Sequence, residues 1–235
     1  MIDKSLDINC LFSLAEAVSE DISVIRLGGP ICADSVDIAQ RIERHWTKNW
    51  PTWLIDFRVG FGYLLVQYQS TKLTHKDICG EIQKIISAAD GGVSSKSHHE
   101  IVIPTCYAPQ CSPDLEGVSR SLSLTTDEVI ELHSSRSYSV VATGFAPGFA
   151  YLAETPAQLH LPRKAVPLTR IPPGSVAIAE NQTVIYPRET PGGWHLIGRT
   201  RFDLVSVTHE HVYPALVPGQ KVRFEPISFA EYSKG

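Results

Sequence analysis

Residues 144–200 constrain this chain more than any other stretch. They read GFAPGFAYLAETPAQLHLPRKAVPLTRIPPGSVAIAENQTVIYPRETPGGWHLIGRT. Proline and glycine recur at short intervals, and the apolar runs between them are too short for helices. A backbone punctuated in this way turns repeatedly, and builds a shaped surface from short strands and loops. Arg163, Lys164, Arg170, Arg188 and Arg199 are spread through it, against the acids Glu154, Glu180 and Glu189.

The flanking sequence reads as ordinary strands and helices. Residues 23–27 have a strand pattern ended by Gly28-Gly29-Pro30. From Asp34 a helical pattern begins, with Val36, Ile38, Ala39 and Ile42 on one face, and Pro51 ends it. Residues 53–59 and 63–68 read as strands joined through Gly60-Phe61-Gly62, a hairpin signal. Thr74 is placed to cap a second helix with an apolar stripe of Ile78, Ile82, Ile85 and Ile86. This is an α+β module of about the size of a ferredoxin-like sandwich. Residues 90–100, DGGVSSKSHHE, then interrupt the apolar pattern and mark a boundary. The expected domains are therefore 1–90 (α+β), a linker at 91–99, and 100–235.

The second domain opens with a strand at 100–107. Ser112-Pro113 is a helix-start signal, followed by inward-facing Leu115, Val118 and Leu122. Thr125-Thr126-Asp127-Glu128 fits a capping box before Val129, Ile130 and Leu132. These two short helices have a helix-turn-helix spacing, but neither is basic, so packing helices inserted in a β domain are expected. Further strands are expected at 138–143, 175–179, 183–186, 194–197, 204–207 and 221–224. Short strands at this spacing imply a sandwich or a closed barrel.

Composition narrows the classes of function. With 235 residues and a formal charge of -4, the chain lacks the basic excess of a dedicated nucleic-acid binder. No run approaches the ~20 apolar residues of a membrane span. The first residues are too polar for a secretory signal. Five cysteines without a CxxC spacing suit a reduced, cytoplasmic protein. The common phosphate-loop, nucleophile-elbow, zinc-protease and dinucleotide motifs are missing.

Three groups of residues bear on chemistry. His98-His99-Glu100 and His209-Glu210-His211 have spacings that can hold a metal, but without further ligands they read as solvated histidines, and no bound metal is expected. Cys106 and Cys111 have no basic neighbours that would lower a thiol pKa, so one reads as buried and the other as a loop cysteine. The third group is the turn-rich stretch. Arg163, Arg170 and Arg199 adjoin turns, and a guanidinium fork suits carboxylates and phosphates. Backbone N–H groups around Gly174, Ser175, Gly192 and Gly193 can approach an anion closely, since glycine has no side-chain bulk. Tyr151, Tyr186 and Trp194 offer aromatic walls, and Gln182 a neutral polar contact. Surface arginines on plain β-turns would give the same sequence, and residue chemistry alone leaves both readings open.

These residues also carry a family resemblance. Gly144-Phe145-x-Pro147-Gly148-Phe149, Leu161-Pro162-Arg163-Lys164, Ile171-Pro172-x-Gly174-Ser175-Val176, Gln182-Thr183, Ile185-Tyr186-Pro187 and Pro191-Gly192-Gly193-Trp194-x-Leu196-Ile197-Gly198-Arg199-Thr200 resemble the family of 5-oxoprolinase B subunits. That family is KipI-type and was long labelled allophanate hydrolase subunit 1. The match extends back through Pro104–Tyr107, Pro113-Asp114-Leu115 and Asp127–His133, so it covers the second domain, and it is weaker over residues 1–90.

The resemblance implies a small α+β domain followed by a cyclophilin-like β-barrel. It implies a C subunit (KipA-type) and an A subunit as partners, in a complex that opens 5-oxo-L-proline to L-glutamate with ATP as cosubstrate. This chain alone would be inactive, and would contribute to the lactam-activating site. By analogy Arg163, Arg170 and Arg199 would contact anions, with Gln182, Tyr186, Trp194, Gly174, Ser175, Gly192 and Gly193. Phe145, Pro147, Phe149 and Tyr151 would shape the cleft. The family also implies two other roles: inhibitor of a sensor histidine kinase, or carboxyltransferase-like part of a urea-processing biotin enzyme. The chain departs from the pattern at Ala146, Ala150 and Glu180-Asn181, the last replacing a frequent Gly-Gly. Such a turn is not expected to need positive φ at both positions.

Overall fold

The computed structural model describes residues 15–27, 33–60, 62–87, 100–208 and 212–234. Two compact units emerge, Met1–Ser97 and His98–Gly235. The expected linker at 91–99 lies outside the described residues. So do His98, His99 and the His209-Glu210-His211 cluster.

The first unit contains β1 (Ala15–Ala17), β2 (Ile22–Arg26), α1 (Ala33–Lys48), β3 (Leu54–Gly60), β4 (Tyr63–Tyr68) and α2 (His75–Ser87). Its sheet has the order β1-β2-β4-β3, with every pair antiparallel. From β2 to α2 this is a ferredoxin-like βαββα run, and β1 takes the edge beside β2. The periodicity expected of both helices holds: Ile38, Ala39, Ile42, Ile78 and Ile82 share one core with Leu64 and Val66. Trp46 anchors it, edge-on to Trp53 at 5.7 Å and to Phe57 at 5.3 Å. At the start of α2 the Asp77 carboxylate accepts from the Thr74 N–H (2.8 Å) and hydroxyl (2.6 Å).

The second unit is built on a closed barrel. Its elements in order are β5 (Ile101–Cys106), α3 (Leu115–Leu122), α4 (Thr126–Ser134), β6 (Ser137–Thr143), β7 (Ala150–Ala153), β8 (Leu168–Ile171), β9 (Ser175–Ala179), β10 (Gln182–Ile185), β11 (Thr190–Gly192), β12 (His195–Arg199), β13 (Val205–Val207), β14 (Val212–Pro214), β15 (Lys221–Ile227) and α5 (Phe229–Lys234). Seven strands close in the order β10-β7-β6-β15-β5-β12-β9, while β8 with β11 and β13 with β14 form separate two-stranded ribbons. The fold is thus α+β followed by a barrel, as expected. Strands β7, β8, β11 and β14 have no counterpart in the sequence reading, being only three or four residues long.

Strand alternation sorts the barrel into two layers. Leu152, Val176, Ile178, Ile185, Ile197, Val222 and Phe224 form the inner core, which Leu115 and Val118 of α3 and Val129 of α4 complete. The two helices are therefore packing elements. The strand residues that alternate with the inner ones, Ala177, Ala179, Val184 and Leu196, face outward, into a second core with Phe149, Ile171, Tyr186 and Trp194.

The capping box at α4 is present, Thr125 and Glu128 satisfying each other's backbone N–H groups. The expected cap at Ser112 is not. Its hydroxyl donates instead to the carbonyls of Tyr107 (2.8 Å) and Ala108 (2.9 Å), and Asp114 holds the N-cap position without a side-chain cap bond.

Candidate functional site

The turn-rich stretch folds over the outer face of strands β7, β10, β9 and β12. Tyr151 pairs with Val184, and Val184 with Ala177, so their side chains share that face. Gln182 lies in the next row, between Ala153 and Ala179. Phe149 packs edge-on to Tyr151 (5.0 Å) and Tyr186 (5.3 Å), and Trp194 reaches Tyr151 at 6.2 Å. The Arg163 guanidinium lies 5.5 Å from the Trp194 ring centroid, a cation–π contact. Burial pushes the Tyr186 hydroxyl up to about 12, with Tyr151 adding to the shift and Arg163 opposing it. Tyr151 is likewise raised by burial and opposed by Arg163. Both phenols are therefore neutral donors at physiological pH.

What holds Arg163 in place links two of the sequence motifs. The Lys164 N–H donates to the Gly193 carbonyl at 2.7 Å, and His195 Nε2 donates to the Pro162 carbonyl at 2.9 Å. Lys164 Nζ meets Asp114 Oδ1 at 2.6 Å, and Asp114 Oδ2 accepts from the Leu196 N–H at 2.7 Å. Pro113-Asp114-Leu115 and Leu161-Pro162-Arg163-Lys164 are thus joined at one half-buried ion pair. Charged hydrogen bonds of this kind are about twice as strong as neutral ones.

The expected residues do not all gather. Arg163, Tyr151, Tyr186, Trp194, Phe149 and the exposed Phe145 form one aromatic group, Phe145 lying 5.1 Å from Phe149. Pro147 lies between these two phenylalanines and is exposed. Arg170 instead projects from β8 and pairs with Glu189 at 3.7 Å, both side chains largely exposed. Arg199 donates from Nε to the Pro173 carbonyl at 3.1 Å and lies close enough to Cys111 to oppose its pKa shift. The three arginines therefore have three different partners.

The glycines have packing duties. Gly174 takes φ +77, and its N–H donates to the Tyr186 carbonyl at 2.7 Å. The Ser175 N–H and hydroxyl both donate to the Pro172 carbonyl, at 3.3 and 2.7 Å. These donors, expected to face an anion, are spent inside the turn. At Gly192 a Cβ would run into the Tyr186 hydroxyl, so its missing side chain makes room for the phenol. Gly193 is less crowded, its nearest neighbour being the Lys164 carbonyl at 3.6 Å.

One group belongs to segments that carry the family resemblance, but no role was expected of it. In the inner core, His133 Nε2 lies 2.9 Å from Thr183 Oγ1, and Nδ1 lies 2.7 Å from the Tyr107 hydroxyl. The Thr183 hydroxyl donates to the Ala177 carbonyl at 3.1 Å, so it accepts from Nε2–H, and the Tyr107 hydroxyl donates to Nδ1. Of the two cysteines, Cys106 ends β5 and Cys111 lies on a turn, and both are buried. Burial first, then a hydrogen bond with Cys106, pushes the Cys111 thiol up to about 12, which leaves it unreactive.

At the β9–β10 turn Glu180 takes φ +54, while Asn181 does not have positive φ. One position of the turn thus carries a left-handed residue, at a cost of about 1 kcal/mol for a side chain other than glycine. Glu180→Gly is expected to raise stability by about 0.5–1 kcal/mol. Urea denaturation followed by amide exchange in β9 and β10 checks this, and a loss of stability would show that the Glu180 side chain has a compensating contact.

Residues 14–215 match the family model described as carboxyltransferase domain, subdomain C and D. The curated B subunit of 5-oxoprolinase from Escherichia coli O157:H7 is 46% identical over 127 residues, covering 54% of this chain and 57% of that protein. The chain spans about half the length of the curated relatives it matches. Among solved structures, TTHA0988 aligns at 30% identity and TM-score 0.70, over 88% of this chain and 40% of that one. The conserved uncharacterized protein PH0987 from Pyrococcus horikoshii aligns at 31% identity and TM-score 0.55, over 93% and 99%. Among the described residues no helix is long and apolar enough to cross a membrane.

Proposed function

Since the chain belongs to the carboxyltransferase subdomain C and D family and is homologous to the B subunit of 5-oxoprolinase, we propose that it serves in an ATP-dependent complex that opens 5-oxo-L-proline to L-glutamate. The observation that carries this reading is the 46% identity to a protein of that name. The barrel's outer face supports it, because it sets a guanidinium beside aromatic walls, as an apolar ring bearing a carboxylate requires.

The chemistry explains why a complex and a nucleotide are needed. A five-membered lactam is a poor electrophile, and phosphorylation of its oxygen by ATP converts it into one that water opens. The partners of the proposed complex are a C-type and an A-type subunit. Phe145 (62% exposed) and Val166 (80%), on loops flanking this face, give a partner subunit an apolar foothold.

Coexpression with C-type and A-type subunits tests the proposal. Glutamate release from 5-oxo-L-proline should require ATP and the assembled complex, with this chain alone showing none. A demonstrably assembled complex that releases no glutamate would sink it. In that case, inhibition of a sensor histidine kinase becomes the activity to assay.

A further inference from the structure

We infer that the lactam ring binds at Gln182, whose carboxamide reads the ring's amide edge while Arg163 takes its carboxylate; this rests on the 5-oxoprolinase reading. Gln182 is 8% exposed, and its amide makes no hydrogen bond among the described residues. The rest of the residue is buried but its amide atoms reach solvent, so their donors and acceptors are open to a ligand. An unpartnered hydroxyl belongs to a residue of the adjoining backbone. The Thr155 hydroxyl is buried without a partner, and the Thr155 N–H donates to the carbonyl of Asn181, the residue before Gln182.

Gln182 is flanked on its own face by Ala153 and Ala179, and Ala177 pairs with Val184 in the next row. These three alanines form a floor that is itself covered, Ala177 and Ala179 being fully buried in the core that Trp194 and Tyr151 pack against. Tyr151 and Trp194, 6.2 Å apart, stand above that floor, and Arg163 lies over Trp194. An aromatic wall, a solvent-reaching amide and a guanidinium thus share one outer face of the barrel.

The ligand's geometry fits this set. A five-membered ring forces its amide to be cis, so its N–H and C=O point the same way. The glutamine carboxamide presents a donor and an acceptor in the same arrangement, and the two can form a pair of parallel hydrogen bonds. An open-chain secondary amide is trans and offers only one of the two. Pairing in this way engages one lone pair of the lactam oxygen and leaves the other for the phosphoryl donor. Adenine also pairs with a carboxamide, but it arrives with phosphates. The turn donors near this face, the Gly174 and Ser175 N–H groups, are already bonded to Tyr186 and Pro172.

The assembled complex, with Gln182→Leu, Gln182→Glu and Arg163→Ala, provides the test. Gln182→Leu should raise the KM for 5-oxo-L-proline at least tenfold and leave the KM for ATP unchanged. Gln182→Glu, which sets a carboxylate against the lactam oxygen, should do the same or worse. Arg163→Ala, an exposed side chain whose loss spares the fold, should also raise that KM. The carboxylate-free 2-pyrrolidinone should inhibit wild type and Arg163→Ala equally, and the Gln182→Leu complex weakly. An unchanged KM for 5-oxo-L-proline in the Gln182 variants overturns the inference while an active wild type keeps the parent reading. A raised KM for ATP alone overturns it in favour of a nucleotide site. An inactive wild-type complex removes both.

Discussion

Lowering the pH from 7 to 4 is expected to destabilise the barrel by several kcal/mol, with His133 the main source. His133 is fully buried between Tyr138 and Phe224, with ring centroids at 5.6 and 4.4 Å. Burial lowers its pKa from 6.5 to about 3. Below pH 6.5 the unfolded chain therefore takes up a proton that the folded chain refuses. Stability is complete above pH 6.5 and falls by about 1.4 kcal/mol per pH unit towards pH 3, to a total of about 4–5 kcal/mol. In His133→Leu this slope should vanish. At pH 7 that variant should also lose about 2–4 kcal/mol, since the Tyr107 hydroxyl is left without an acceptor. Tyr107→Phe in the same background should recover part of the loss. Hydrogen exchange of the β9 and β10 amides reads the barrel alone, and parallel pH profiles for wild type and His133→Leu would refute the assignment.

Gly174→Ala should cost about 3 kcal/mol or more. Gly174 has φ +77, and a Cβ there would run into the Thr200 carbonyl oxygen. That obstacle is backbone, so no rotamer change relieves it. The Thr200 N–H also donates to the Gly174 carbonyl at 2.8 Å, which pins the two segments together. Gly193→Ala is the control: its Cβ would meet the Lys164 carbonyl at 3.6 Å, an ordinary contact, and stability should change by less than about 1 kcal/mol. Thermal denaturation of the pair decides between a conformational role for Gly174 and mere absence of bulk. Equal melting temperatures would show the turn to be plastic.

The sequence was most legible where one local signal sufficed. The stripe of Ile78 and Ile82, the capping box at Thr125 and the β-branched run of β9 each appear as expected. It was least legible where partners are distant along the chain. Tyr107, His133 and Thr183 share no local pattern, and only barrel closure brings them together. Asp114 read as the second residue of a helix, yet its carboxylate is taken by Lys164 and the Leu196 N–H. The arginines were recognisable as turn residues, but not the partners that hold them. Glu189 binds Arg170 and the Pro173 carbonyl binds Arg199, leaving Arg163 against the aromatic group.

Strand β15 runs parallel to β5 from Val222↔Ile101 to Ile227↔Cys106, and antiparallel to β6 on its other side. Of the barrel strands it is the last to leave the ribosome. Until it does, the edges of β5 and β6 that it covers stay open, and an open strand edge recruits other chains. Pairing across so long a loop is also slow. During synthesis the first unit can fold on its own timetable while the barrel waits, so a pause in translation just ahead of residue 221 would prolong the interval in which nascent chains aggregate.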